Sequence, residues 1–151
     1  MRKLSLTIIA LLLVAAIHTP VNADQDHKGR MTVQHFEISS VYGYREFYIP
    51  GEEIAFYVEG KSPVEIDAEP NSGFRVQASI TNETRNKTIA EVDGNYDEGK
   101  RAWLVTFTAP SDPTNTYKIN VYFYCATEGA PCDELYGRAA RAIKYLPLQI
   151  H

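Results

Sequence analysis

The residues with the most evident potential for chemistry lie in a short acidic stretch in the second half of the chain. Asp93, Asn95 and Asp97 carry oxygen-bearing side chains at alternate positions. Calcium loops use this spacing because alternate residues of a tight turn can direct their oxygens at one hard cation. The following positions lack the glycine and glutamate that complete an EF-hand loop. The stretch predicts a solvated turn between two strands, with a calcium site as the alternative.

Cys125 and Cys132, the two cysteines of the chain, are separated by six residues. A close, even pair in an exported protein predicts a disulfide, which would close a short loop and stabilise the fold by roughly 2.5 kcal/mol on the chain-entropy model. The alternative is half of a metal site, but no second cysteine pair or nearby histidine accompanies the two residues. We therefore predict a disulfide.

Aromatic residues crowd the segment 41–48, where Tyr42, Tyr44, Phe47 and Tyr48 occur without following one face of a strand. Exposed tyrosines provide a large contact area at a low entropic cost, so this cluster is a candidate surface for recognising a protein or a glycan. The alternative is that about half of these side chains pack inward at the end of the fold.

The segment 124–136 contains the predicted disulfide and a second set of candidate binding residues. These residues are Glu128, Asp133, Glu134 and Tyr136. A disulfide would hold such a loop rigid and lower the entropic cost of binding a partner. The alternative is that the bridge only secures a long hairpin.

No pattern in the sequence predicts catalysis. The nucleophile elbow, the metalloprotease helix and the phosphate-binding loop are all absent from the sequence. Adjacent carboxylates occur as Glu52-Glu53 and Asp133-Glu134, but neighbours on a strand point to opposite faces. We predict that the chain is not an enzyme and that it uses no cofactor.

The N-terminal residues have the pattern of a secretory signal peptide. Arg2 and Lys3 precede an uncharged apolar run over 4–17, and Val21-Asn22-Ala23 offers a cleavage site after residue 23. This pattern predicts a cleaved signal over 1–23, a flexible segment over 24–30, one domain over 31–151, and a periplasmic or secreted protein without a membrane span.

The charge of the exported part limits the range of partners. The chain has 15 basic and 19 acidic residues, and the signal contains two of the basic ones, so residues 24–151 carry a net charge of −6. Such a surface repels phosphate backbones, so we predict no binding to nucleic acid. The oligomeric state does not follow from the sequence.

Short alternating runs of apolar and polar residues, separated by turn residues about every ten positions, predict about seven or eight strands. The clearest runs cover 54–58, 74–81, 103–107 and 117–123, and weaker ones cover 32–40, 64–68, 88–92 and 139–150. A helical turn is expected within 133–142. A chain of this size buries such faces best as two stacked antiparallel sheets, and we predict an all-β sandwich.

The run from Trp103 to Pro110, followed by a polar loop and Tyr117 to Val121, resembles the E-to-F region of immunoglobulin-like and fibronectin type III-like sandwiches. In those folds a tyrosine at the start of strand F donates a hydrogen bond back across the corner, and Tyr117 matches that position. The segment 48–54 is similar to the start of strand B in bacterial surface and macroglobulin-type domains. The resemblance implies an architecture and no function.

Taken together, these features predict an exported non-catalytic module that binds a protein or glycan partner through loops and tyrosines. A structural subunit that pairs through exposed edge strands is the alternative. A calcium-dependent adhesion domain and an uncharacterised enzyme are less favoured. Glycosylation sequons begin at Asn82 and Asn86, and the sequence does not show whether either is used.

Overall fold

The computed structural model describes residues 35–63, 66–138 and 140–151. The predicted signal peptide and flexible segment lie outside the described residues. No helix in the described part of the chain is long and apolar enough to cross a membrane.

Strands dominate the described residues. In chain order they are β1 (Glu37–Tyr42), β2 (Phe47–Tyr48), β3 (Glu53–Lys61), β4 (Phe74–Asn82), β5 (Lys87–Asp93), β6 (Asn95–Asp97), β7 (Ala102–Thr108), β8 (Tyr117–Cys125) and β9 (Arg141–Ile150). A 3-10 turn covers Pro70–Ser72 before β4, and helix α1 covers Pro131–Tyr136 between β8 and β9. The predicted helical turn thus begins two residues earlier than expected.

The strands form two sheets, which confirms the predicted all-β sandwich. A four-stranded sheet has the order β1-β3-β7-β6, and a five-stranded sheet has the order β2-β9-β8-β4-β5. All pairings are antiparallel except that of β2 with β9, which is parallel and two residues long. The short strands β2 and β6 escaped the sequence analysis because two or three residues carry no measurable alternation.

The core lies between the two sheets and follows from the alternation of apolar residues. On β4 and β8 the inward side chains are fully or almost fully buried, as the period of two requires. The ring of Phe123 lies at the centre, with its centroid 4.7 Å from that of Phe74 and 5.4 Å from that of Trp103 on the opposite sheet. Gly60 on β3 faces this ring so closely that a Cβ atom would overlap it. The two sheets therefore meet around one aromatic cluster.

The turn that precedes β3 has a proline and a glycine at its centre. The N–H of Glu52 donates to the carbonyl of Ile49 over 3.1 Å, which closes a turn with Pro50 and Gly51 at its centre. Gly51 has a φ of 79°, the positive value that the third position of a type II turn demands. The predicted weak strand at 64–68 is not formed over its described part, 66–68. Pro63 and Pro70, which lack N–H donors, flank that part.

The corner between β7 and β8 is held by Tyr117. This side chain is 4% exposed, and its hydroxyl donates to the carbonyl of Asp112 over 2.8 Å. The side chain of Asp112 also accepts hydrogen bonds from Thr114 and Asn115, which holds the pKa of that carboxyl below its usual range, chiefly through the Thr114 hydroxyl. The corner is thus held by the hydrogen bond of the tyrosine and by the hydrogen bonds within the loop.

Replacing Tyr117 by phenylalanine should reduce the free energy of unfolding by about 1 kcal/mol, because it removes one buried hydrogen bond and leaves the ring in place. Equilibrium unfolding in urea measures the change. Tyr122→Phe is the matched control, because Tyr122 lies on the same strand and makes no hydrogen bond through its hydroxyl among the described residues. An equal effect in both variants would contradict a special role for the corner.

Candidate functional site

The predicted aromatic cluster is divided by the fold. Tyr48 is buried, and Tyr44 packs its ring edge-on against Phe56 with centroids 6.0 Å apart. Burial raises the pKa of the Tyr44 hydroxyl. Tyr42 instead stacks on Tyr57, at 5.3 Å, on the outer side of the four-stranded sheet. Tyr48 is therefore a core residue and Tyr44 packs against the core, which is the alternative left open by the sequence.

Phe47 is the remaining member of that cluster and lies on β2, where it is 50% exposed. Its ring centroid is 5.1 Å from that of His151. Since Phe47 pairs with Gln149 of β9, it belongs to the five-stranded sheet and not to the sheet that carries Tyr42. The four residues do not form one surface.

Cys125 and Cys132 form the predicted disulfide, with Cα atoms 5.8 Å apart and both residues buried. Tyr136 at the end of α1 packs edge-on against Phe36, with centroids 5.0 Å apart, and its hydroxyl lies 2.7 Å from that of Ser62. The bridge and this tyrosine fasten the loop to the core. The loop is thus held firmly against the core. The Tyr136 side chain packs against the core and is not displayed on the loop surface for a partner.

The three acidic candidates of this loop have different surroundings. Asp133 accepts a hydrogen bond from the N–H of Gly129 over 2.9 Å, and Glu128 pairs with Arg138 at 3.3 Å. Glu134 is exposed on α1. Asp133 therefore shapes the loop, whereas Glu128 and Glu134 stay at its surface.

The acidic stretch considered for calcium is divided between the two sheets. Asp93 ends β5, and Asn95 and Asp97 belong to β6. The carboxylate of Asp97 accepts the N–H of Lys100 over 3.0 Å, which caps the following turn. Within the described residues no three His, Cys, Asp or Glu side chains are grouped as a metal site would require. The segment serves as the crossing between the sheets.

The two sequons differ in accessibility. Asn82 is 4% exposed, and its side-chain oxygen accepts the N–H of Arg85 over 3.0 Å. Asn86 is exposed at the tip of the hairpin between β4 and β5, with a φ of 49°. Asn82 thus shapes the hairpin, and only Asn86 presents its amide to solvent.

The largest set of potential contact residues lies on the side of the five-stranded sheet that faces away from the core, which we call the outer face. Ladder pairing aligns its side chains in rows across four strands. One row is Asp93, Gln77, Tyr122 and Ile143, the next is Glu91, Ser79, Asn120 and Tyr145, and a shorter one is Arg75, Tyr124 and Arg141. On the outer face, β5 therefore carries acidic residues, and β9 carries aromatic, aliphatic and basic residues.

A groove of about 580 Å³ runs across this outer face. Gln77, Glu91, Tyr122, Tyr124 and Arg141 are among its lining residues. A volume of this size is in the range of ligand-binding clefts. Glu91 lies on the β5 side of the groove and Arg141 on the β9 side, so opposite charges lie on its two sides.

Hydrogen bonds fix the floor of the outer face. Asn120 is 5% exposed, and its amide nitrogen donates to the hydroxyls of Ser79, over 3.1 Å, and Thr81, over 2.9 Å. The amide of Gln77 donates to Glu91 over 3.2 Å. Because these polar groups already have hydrogen-bond partners, the surface is ordered before a ligand binds, and the entropic cost of ordering it on binding is small.

Tyr124 lies at the basic end of the groove. Burial raises the pKa of its hydroxyl, the nearby Asp93 raises it further, and Arg75 opposes these effects. The phenol therefore remains protonated at neutral pH and can donate a hydrogen bond to a ligand.

The β9 side of the outer face exposes large apolar side chains. Tyr145 is 62% exposed and Ile143 is 43% exposed. With Phe47 they make up three of the seven exposed large hydrophobic side chains of the described residues. The ammonium group of Lys118 lies 5.4 Å from the Tyr145 ring centroid. Exposed aromatic and aliphatic groups beside basic ones are typical of protein-binding surfaces.

Comparison with known proteins gives no family for this chain. No protein-family model matches it. No curated protein matches it either. Among solved structures, two variants of the superoxide reductase (neelaredoxin) from Ignicoccus hospitalis have a similar fold. One has a TM-score of 0.48 at 11% identity, with 85% of this chain and 92% of that chain covered. The other has a TM-score of 0.42 at 12% identity, with 87% and 92% covered.

These neighbours correct one prediction. They are named as enzymes, which contradicts the prediction from sequence motifs that this chain is not an enzyme. With TM-scores below 0.5 and identities of 11% and 12%, the likeness transfers no activity to this chain.

Proposed function

We propose that the chain is an exported immunoglobulin-like module that binds a partner protein through the outer face of its five-stranded sheet. The exposure of Ile143 and Tyr145 beside an ordered groove carries this proposal. Such side chains gain most when a partner removes them from water, and tyrosine is enriched among the residues that dominate binding energy.

The size of the outer face fits a protein partner. The four long strands of this sheet have seven to ten residues and are separated by three intervals of about 4.8 Å, which gives an area of roughly 14 by 30 Å. A standard interface buries about 800 Å² on each partner, so about half of one interface can be accommodated on this face.

Three further features support the other parts of the proposal. The hydroxyl of Tyr117 donates to the carbonyl of Asp112, as the tyrosine corner of immunoglobulin-like folds does. The disulfide is typical of an oxidising compartment outside the cytoplasm. The N-terminal pattern of a signal peptide agrees with export.

A glycan is the second candidate ligand. The groove is lined by Tyr122, Tyr124, Gln77 and Glu91, which offer aromatic faces and planar polar groups to sugar hydroxyls. A protein partner is favoured because Ile143 and Tyr145 lie outside the groove lining and extend the apolar surface beyond it.

Assembly with copies of itself through edge strands is less favoured. The pairing of β1 with β3 skips Ser39, and that of β5 with β4 skips Ile89. Such irregularities bend an edge strand and hinder edge-to-edge pairing between the sheets of two molecules. β9 carries Pro147, which cannot donate to a further strand. The three longest edges of the described sheets are therefore all interrupted.

The proposal predicts that Tyr122→Ser with Ile143→Asp weakens capture of the native partner about thirtyfold, since a hot spot contributes about 2 kcal/mol. The measurement is retention of proteins from the native extracytoplasmic fraction on immobilised chain, followed by titration of the retained protein.

Tyr42→Asp is the matched control, because Tyr42 is partly exposed on the other sheet. Equal retention by all three forms would overturn the outer face as the binding surface. Binding to a glycan array that only the outer-face variant loses would replace the protein partner with a glycan.

A further inference from the structure

Within the described residues, one edge of the five-stranded sheet is open along most of β9. On one side β9 pairs with β8 from Arg141 to Leu148 without a register shift. On the other side β2 pairs only with Gln149 and Ile150. No other strand among the described residues pairs with this side of β9.

The hydrogen bonds of β2 show which backbone groups face this edge. The N–H of Gln149 donates to the carbonyl of Glu46 over 2.9 Å, and the N–H of His151 donates to that of Tyr48 over 3.0 Å. Backbone groups alternate in direction along an antiparallel strand. The N–H and C=O groups of Arg141, Ile143 and Tyr145 therefore point to the same side as those of Gln149.

Two residues of β9 act against pairing with a second copy. Pro147 lacks an N–H and ends the usable edge at Leu146. Lys144 lies opposite Val121 on the core-facing side of the sheet, yet it is exposed. A charge on the inner side of an edge strand is a recognised obstacle to pairing. In-register parallel pairing of two copies of β9 would also place Arg141 beside Arg141 and Lys144 beside Lys144, and these cations repel each other.

The same charges favour a different strand. Arg141 lies on the outer face and Lys144 on the opposite side, three positions apart. Neither has a carboxylate within 4.0 Å among the described residues. Residues directly opposite each other in neighbouring strands point to the same side. A strand with two acidic residues three positions apart would therefore place one carboxylate opposite each cation.

We infer that the open edge Arg141–Leu146 accepts an extended acidic segment of the partner protein as an additional strand beside β9. This inference rests on the proposed function, since it names the part of the partner that docks next to the outer face. Backbone hydrogen bonds to Arg141, Ile143 and Tyr145 would provide affinity, and the two cations would provide selectivity. The segment would lie in line with β2, which already occupies the position beside β9 at Gln149 and Ile150.

The test uses fluorescein-labelled peptides of about ten residues in a threonine and valine background. One peptide has two glutamates three positions apart, and the other has lysines in their place. Fluorescence anisotropy with the full chain should show about tenfold tighter binding of the glutamate peptide, because two cross-strand pairs change from repulsive to attractive. Equal binding of both peptides, or binding of neither, would overturn the inference.

The double variant Arg141→Glu with Lys144→Glu provides the decisive comparison. Both side chains are exposed, so the fold should tolerate the change, and the preference should invert toward the lysine peptide. A glutamate peptide N-methylated at the positions that face β9 should lose binding, since it cannot donate to the edge. If the N-methylated peptide binds as well as its parent, the peptide is not an added strand.

Failure of this inference is distinguishable from failure of the proposed function. If the peptides do not bind but the Tyr122→Ser, Ile143→Asp variant still fails to retain the partner, the outer face remains the binding site and only the added strand is ruled out. A partner retained equally by that variant would remove the proposed function itself.

Discussion

Replacing Phe123 by alanine should lower the free energy of unfolding by about 4 kcal/mol, the usual cost of removing a large aromatic side chain from a core. The Phe123 ring is completely buried and contacts aromatic rings of both sheets. It also packs 5.3 Å from the ring of Phe36, which precedes β1. Phe74 and Trp103 are themselves buried, so removing the ring leaves a cavity between them.

Chemical denaturation monitored by circular dichroism measures this loss. Phe47→Ala is the matched control, since Phe47 is half exposed and its removal should cost no more than about 0.5 kcal/mol. Similar values for the two variants would show that the sheets are not joined through the aromatic cluster around Phe123.

The second large effect concerns the disulfide. The double variant Cys125→Ala with Cys132→Ala should lose about 2.5 kcal/mol of stability. The bridge spans seven positions and constrains the unfolded chain, and in the folded state it anchors α1 against the core. Without it, the packing of Tyr136 on Phe36 and the contact of its hydroxyl with that of Ser62 must hold the segment.

Thermal unfolding of the oxidised wild type and of the double variant checks this expectation. Glu134→Ala is the control, because Glu134 is exposed on the same helix and makes no ion pair among the described residues. An unfolding temperature that is the same in all three proteins would contradict a stabilising role for the bridge.

The sequence was sufficient for most of the fold because the main strands are long and half buried. In β4 the alternation of Phe74, Val76 and Ile80 with polar residues is uninterrupted, and the strand forms where it was predicted. The disulfide, the Pro50-Gly51 turn and the hydrogen bond of Tyr117 likewise depend on local chemistry that a single segment contains.

The candidate site was harder to predict because it depends on pairing between distant segments. Tyr122 and Ile143 become neighbours only through the register of β8 with β9. The polar side of β8 was visible as an alternating pattern, but nothing in that pattern shows which strand lies beside it. The orientation of the aromatic side chains in 41–48 was ambiguous for the same reason, since the position of Phe47 depends on its pairing with Gln149, which is distant in the sequence.

The position of β9 also has a consequence for the order of folding. β9 follows all the other strands of the described residues in sequence, yet it lies inside the five-stranded sheet between β8 and β2. Tyr48 and Ile150, which are buried and paired with each other, are separated by about a hundred residues, and such distant contacts are costly in entropy and slow to form. A chain released from its N-terminus onward can form the β4–β5 hairpin early, but it can close this sheet only after residue 150 has emerged. Until then β8 is an unpaired edge that can pair with another molecule, and the ten residues of β9 remove that risk when they pair with it.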